Sequence, residues 1–309
     1  MPHSLRVTVA APSEAHAEGG AAAALADRLG GRPGVADVLR LDLARTPGGR
    51  VDPFGLRERV PEAEGDVVVL VAGRRWGARR VVPAPVLDGR PIALVQADTP
   101  GQLPRCQAQP SARVPWVVAA MAKDDFLAPT AHWARTLKAG GRPAVDLRAD
   151  RARRDDLLRA LAAGPGIVLY AGHGRTRGWS GYQGIRWHHM EADRPGAVGA
   201  GLVIAFACDT LKRSRSRFPF GSRLVESGLA GGYLGAAGSV RTRDAEALAE
   251  VVIALLARGT HETGAHLMAQ LDAELRDGPA ASRRAWAQFR FVGDPCVPLP
   301  RGGIGVAAA

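Results

Sequence analysis

A chain of 309 residues is long for one ordinary domain, and with 46% apolar residues it has a globular composition and enough material for a sizeable core. Aromatic residues make up only 5%, so that core has to be built from Val, Leu, Ile and Ala. The net charge of +11 is carried by arginine, because Lys123, Lys138 and Lys212 are the only lysines. It is scattered in short runs (Arg74-Arg75, Arg79-Arg80, Arg151 to Arg154, Arg213 to Arg217) with no basic tail, helix-turn-helix or zinc finger. This argues for the codon bias of a GC-rich genome and against a nucleic-acid partner.

The chain runs from Met1-Pro2-His3-Ser4 at once into the strand-like Leu5–Ala10. No charged leader with a long apolar segment precedes that run, and no later run approaches the ~20 apolar residues of a membrane span. Cys106, Cys208 and Cys296 are odd in number and far apart, which does not fit a disulfide framework. A cytoplasmic protein with no membrane partner is expected.

Further strands are expected at Val35–Leu41, Asp66–Ala72, Pro91–Gln96, Val114–Met121, Gly166–Ala171, Leu202–Ala207 and Gly232–Ala237, each a continuous apolar run bounded by turn residues. Helical patterns lie between several of them, at Glu18–Leu29, Thr130–Ala139, Arg151–Ala163, Phe220–Leu229 and Arg243–Ala257. This alternation predicts an α/β fold with a mostly parallel central sheet sandwiched between helices. The turn Gly140-Gly141-Arg142-Pro143 suggests a division into an N-terminal α/β portion (1–140) and a second portion (141–300), with a frayed Gly- and Ala-rich tail (301–309).

Two strands end in residues that carry chemistry. Gly166–Ala171 runs directly into Gly172-His173-Gly174, and Leu202–Ala207 delivers Cys208 to the same kind of position. Parallel sheets place their sites at the carboxyl ends of strands, and two such ends can sit side by side. A thiol of ordinary pKa ~8.5 is a poor nucleophile at neutral pH, and an adjacent imidazole supplies the base or ion-pair partner that it needs. The backbone N–H groups of Gly174 and Cys208 are then candidates for holding the oxyanion, and a bulky residue at 174 is expected to stop turnover with the fold intact. The plainer alternative for a cysteine at a strand end is inert packing. The ordered Gly-His-Gly partner favours catalysis at Cys208, whereas Cys106 and Cys296 lack one and are read as structural.

Other motifs carry less. Gly172 to Gly178 resembles a dinucleotide loop, but Trp179-Ser-Gly-Tyr-Gln-Gly184 cannot open the helix such a loop requires. His188-His189 with Cys208 lacks the spacing of a zinc site, and His261 and His266 have no evident partner. Trp179 and Trp187 could wall a substrate cleft or serve as packing.

Strand plus Tyr170-Ala-Gly-His-Gly174, the loop Gly178-Trp179, strand plus Ala207-Cys208-Asp209-Thr210, the segment Phe220 to Gly231, the segment Tyr233 to Thr242, and Phe291-Val-Gly-Asp-Pro295 follow one another in the chain. Together they resemble the caspase-like cysteine peptidases, especially the gingipain-type and CHAT branches, over about Gly166 to Pro295. The resemblance implies a His173/Cys208 dyad in which His173 protonates the leaving amine and Cys208 forms a thioester, with no metal or organic cofactor. It implies a protein or peptide substrate, leaves room for an activating partner, and points to a cysteine endopeptidase. The alternative is a catalytically silent caspase-like or CHAT module for interaction or signalling, because members of the clan include scaffolds with degraded dyads. Arginine-preferring relatives keep an acidic residue in the side-chain pocket. Asp124 and Asp125 stand at a plausible upstream position, with Asp209 and Asp244 as rivals; capping of a helix beginning near Thr130 is the plainer alternative for the first pair.

Overall fold

The computed structural model describes residues 5–32, 35–43, 63–72, 84–97, 99–103, 111, 113–190, 197–212, 218–259 and 262–299. Cys106, His261, the arginine runs within 74–80 and 213–217, and the tail 301–309 lie outside the described residues.

In chain order the elements are β1 (Leu5–Ala11), α1 (Ser13–His16), α2 (Ala21–Gly30), β2 (Val35–Asp42), β3 (Val67–Ala72), β4 (Val86–Leu87), β5 (Arg90–Gln96), β6 (Trp116–Ala120), α3 (Asp124–Ala139), β7 (Ala144–Arg148), α4 (Arg154–Ala162) and β8 (Ile167–Ala171). Then come the small strands β9 (Gly174–Arg175), β10 (Gly178–Trp179) and β11 (Ile185–Arg186), followed by β12 (Ala200–Phe206), α5 (Phe220–Glu226), β13 (Ala230–Ala236), α6 (Thr242–Arg258), α7 (Gly264–Arg276), α8 (Ala280–Trp286) and β14 (Phe289–Gly293). Every strand expected from a continuous apolar run is present. Not expected were the short helix α1, the short strand β4, the edge strand β7, the small hairpin sheet, the helices α7 and α8, and the closing strand β14. Helix α3 begins at Asp124, ahead of the expected Thr130, and carries Pro129 within it.

The main sheet has the order β2-β1-β3-β5-β14-β13-β12-β8-β6-β7. Neighbours along it are parallel except at β13 and β14, which pair antiparallel, while β14 runs parallel to β5. The sheet is therefore two parallel halves of opposite direction joined at one seam. The mostly parallel α/β sandwich read from the sequence is the observed fold. The turn at 140–143 falls between α3 and β7, and β6 before it neighbours β8 after it in the same sheet.

Strands β3, β6, β8, β12 and β13 are buried along their whole length, which is why their sequences are unbroken apolar runs. Alternation divides the side chains between two cores. Val117, Val168, Tyr170, Val203, Ala205 and Tyr233 face the side covered by α4, α5 and the small hairpin. Val118, Leu169, Ala171, Ile204, Phe206 and Leu234 face the side covered by α3, α6, α7 and α8. A third cluster packs α2 on the N-terminal strands through Leu25 and Leu29 against Val7, Val9 and Val69.

Candidate active site

Register alone brings the two chemical residues together. Phe206 of β12 is paired with Ala171 of β8, and the Gly172 N–H adds one more bond to the Phe206 carbonyl at 3.5 Å. Two positions beyond each partner of that last pair stand His173 and Cys208. Both line one open cleft enclosing about 470 Å³, together with Asp125, Phe126, Pro129, Trp133, Phe206, Val240 and Glu246. The cleft lies on the α3/α6 side of the sheet, since Ala171 and Phe206 face that side.

The His173 ring meets the Phe126 ring edge-on, with centroids 5.2 Å apart and planes at 86°. Among the described residues the ring has no hydrogen-bond or ion-pair partner, so its direction is set by its backbone and by the Phe126 contact. Cys208 is half-buried, and its Sγ accepts from the Val240 N–H and donates to the Val240 carbonyl, both at 3.3 Å. The turn after it is held by the Asp209 N–H on the Gly238 carbonyl at 3.0 Å, and Asp209 adopts the left-handed region at φ 59°. A non-glycine residue in that region is uncommon and persists only where its surroundings over-determine it.

Gly174 permits the approach of the two turns. A Cβ placed there would lie 2.5 Å from the Cys208 carbonyl oxygen and 2.9 Å from Ala207 Cβ. This corrects one expectation: a bulky residue at 174 must displace backbone and cannot leave the local fold intact.

The acidic candidates separate. Asp125, in the first turn of α3, lines the cleft, while Asp124 beside it lies outside the lining; both are exposed. Neither caps a helix beginning near Thr130, because α3 already includes both. Pro129 lacks the N–H that would bond the Asp125 carbonyl, and its ring joins the cleft wall. Asp209 is not part of the lining either; its carboxylate lies 3.4 Å from Lys212 Nζ. Asp244 is taken up by Arg284, at 2.8 and 3.2 Å.

Trp179 is corrected as well: it does not wall the cleft. It is fully buried on the opposite face of the sheet, stacked on Tyr170 with centroids 4.1 Å apart and bonded from Nε1 to the Tyr233 hydroxyl at 3.3 Å. The cause is alternation, since Tyr170 points away from the side that Ala171 faces. Trp187 is exposed, at 37%.

Sequence reasoning missed Glu246. It stands one turn into α6 beside Thr242 and Ala245 in the cleft wall. Burial, then the carboxylates of Asp125 and Glu250, hold its pKa above the ordinary value. The available signal was the spacing of Glu246 and Glu250, four apart on one helical face. Val240 offered no signal, because it contributes main-chain groups to the thiol. Among the described residues no group of three or more His, Cys, Asp or Glu is arranged to hold a metal ion, and no helix is long and apolar enough to cross a membrane.

The sequence model of peptidase family C25 matches residues 112–300. The chain belongs to peptidase family C25. It is accordingly a cysteine-type peptidase, a hydrolase of caspase-like fold. No curated protein sequence matches this C25 peptidase. Among solved structures it is similar to the Arg-specific cysteine proteinase gingipain R (RgpB), with TM-score 0.71 and 12% identity over 97% of this chain and 79% of that one. The complex of Porphyromonas gingivalis RgpB pro- and mature domains gives 0.72 and 12%, over 96% and 80%. The Saccharomyces cerevisiae separase–securin complex gives 0.50 and 13%, over 82% of this chain and 18% of that one. At these identities the likeness is one of fold.

Proposed function

We propose that this C25 peptidase cleaves proteins or peptides through His173 and Cys208, with a preference for a basic residue before the cut. The observation that carries the proposal is the make-up of one cleft: an imidazole, a thiol, an apolar floor and two carboxylates line the same space. A lysine or arginine side chain matches it, with the methylene stem on Phe126, Pro129, Trp133 and Phe206 and the cation at Asp125 and Glu246.

In the proposed reaction the Cys208 thiolate adds to the scissile carbonyl carbon, and the N–H groups of Gly174 and Cys208 hold the oxyanion. The C–N bond then breaks as the His173 imidazolium gives its proton to the leaving amine, leaving a thioester on Sγ. Water, losing a proton to His173, adds to the thioester; the acyl group departs as the acid and the thiolate returns. Two of the similar structures are complexes, one of pro- and mature domains and one with securin, which supports a protein as substrate or activating partner of this cleft. A reducing, cytoplasmic setting belongs to the same proposal, in keeping with free thiols at Cys208 and Cys296.

The test is a panel of peptide amides together with a peptide-based acylating probe for thiols. The wild-type chain is expected to be labelled on Cys208 and to cleave after Arg or Lys. Cys208→Ala is expected to lose both properties, and His173→Ala to lose about 10²- to 10⁴-fold in turnover. A folded wild-type chain that neither takes the probe nor cleaves any peptide sinks the dyad. Cleavage indifferent to the residue before the cut sinks the basic preference alone.

A further inference from the structure

We propose that Tyr170 is a positioning residue for the His173 imidazole, a role that rests on the His173/Cys208 reading above. Tyr170 stands near the end of β8 and points into the α4/α5 face, where it is fully buried. Its hydroxyl donates to the His173 carbonyl at 3.3 Å and accepts from the Gly181 N–H at 3.1 Å. The same carbonyl also accepts the Ser180 N–H at 2.9 Å. One phenol thus ties the strand end, the histidine turn and the returning hairpin together.

The closeness of the fit supports the role. A Cβ on Gly172 would lie 2.5 Å from the Tyr170 hydroxyl, and one on Gly181 would lie 3.0 Å from it. The Gly172 segment passes the oxygen at a distance that only glycine allows, and the Gly181 segment at one that leaves a side chain little room. Burial pushes the phenol well above its ordinary pKa, so it keeps its proton and remains a donor across the working range.

The far side of the hairpin is fixed by a second buried phenol. Tyr182 accepts from the Ala120 N–H at 3.2 Å and donates to the Leu147 carbonyl, with Tyr182 and Gln183 at φ 56° and 61°. The hairpin is therefore pinned to the ends of β6 and β7 and is a firm abutment for Tyr170. Since the imidazole has no hydrogen bond of its own among the described residues, its place in the cleft it shares with the thiol rests on this backbone anchorage and on the edge-on contact with Phe126.

The test compares Tyr170→Phe with Trp179→Phe in the full chain, with turnover expressed per site titrated by the acylating probe so that partial folding cannot mimic the effect. Tyr170→Phe keeps the ring and loses the hydroxyl. Its kcat on an Arg-peptide amide is expected to fall about tenfold or more at unchanged KM, because small misplacements of a reacting group are costly. The pH midpoint for alkylation of Cys208 by iodoacetamide should also move upward, as the imidazole loses its hold near the thiol. Trp179→Phe disturbs the packing and keeps the hydroxyl; it should lower the melting temperature and leave kcat and the alkylation profile near wild type. Wild-type kcat and profile in Tyr170→Phe overturn the proposal, as does a Trp179→Phe variant that reproduces the kcat loss and the profile shift. His173→Ala with wild-type turnover would instead overturn the dyad on which the proposal stands.

Discussion

Between α2 and the strands β3 and β5 lies a recess lined by Arg28, Arg32, Val69, Val95 and Asp294, and between α3 and α6 lies the cleft of His173 and Cys208. Each contains an aspartate. In the recess, Arg32 Nη1 meets Asp294 Oδ2 at 2.5 Å and the Cys296 N–H reaches Oδ1 at 2.9 Å. Burial pushes Asp294 toward its neutral form, and Arg32 opposes that shift. In the cleft, no cation among the described residues pairs with Asp125 or Glu246, and burial and Asp125 hold Glu246 above its ordinary pKa. A carboxylate that the chain itself neutralises closes the fold, whereas one left without a cation in the cleft of the Cys208 thiol can receive a cation from outside.

That contrast is open to attack, most strongly at Asp125. Asp125→Asn is expected to reduce kcat/KM on Arg substrates by about 10- to 100-fold, given ~1.5–3 kcal/mol for a hydrogen bond to a charged group and ~1.4 kcal/mol per factor of ten. Substrates with a neutral residue before the cut should be almost unaffected. An equal fall for both kinds, in a side-by-side kinetic comparison, would mean that Asp125 serves the fold and not the substrate.

Glu246→Gln should act in the same direction by a smaller factor, and it sharpens the contrast through pH. Because the pKa of Glu246 is raised, the anion is present above that raised value and is lost as pH falls through it. The preference for basic substrates should therefore weaken from a higher pH than an ordinary carboxylate would dictate, and the substitution should remove that part of the profile. The sign for stability is the reverse. A carboxyl with a raised folded-state pKa favours folding most when protonated, and that contribution fades as pH rises from the ordinary value through the raised one. Glu246→Gln should thus melt at or above the wild-type temperature at neutral pH; a clear drop in melting temperature would make Glu246 a supporting residue.

The recess should answer differently. Arg32→Ala leaves Asp294 uncompensated and is expected to cost about 3 kcal/mol in urea unfolding, with turnover per folded molecule unchanged. A specific loss of turnover at full stability would show that the two regions are not separate in role.

The sequence was most readable where strands are covered on both faces, because β3, β8 and β12 have no polar residue to interrupt the apolar run. It was least readable at the β7 margin of the sheet and at its seam. Edge strand β7 alternates Val145 and Leu147 with Asp146 and Arg148, and β14 has Arg290 between Phe289 and Phe291, so neither presents a continuous run. The start of α3 was hidden by Pro129, which reads as a break although the helix passes through it. That His173 and Cys208 come to one cleft was legible because each stands two positions past the end of a buried strand and the two strands are neighbours. Which side of the sheet Trp179 joins depends on alternation carried over from Tyr170 through the hairpin, and the pairing of Asp125 with Glu246 depends on how α3 and α6 pack. Neither of these is written in local spacing.

The antiparallel strand β14 has one further consequence, for biosynthesis. It fills the gap between β5 and β13, yet of all the described strands it is the last to emerge from the ribosome. Until Gly293 is out, a nascent chain that already contains both the imidazole and the thiol has two naked strand borders facing each other, an arrangement that invites pairing with the wrong neighbour. Strand β13, the neighbour of the strand that leads to Cys208, lacks its own outer partner over the same interval, so proteolytic capacity should arise only late in translation, when the central gap has been filled.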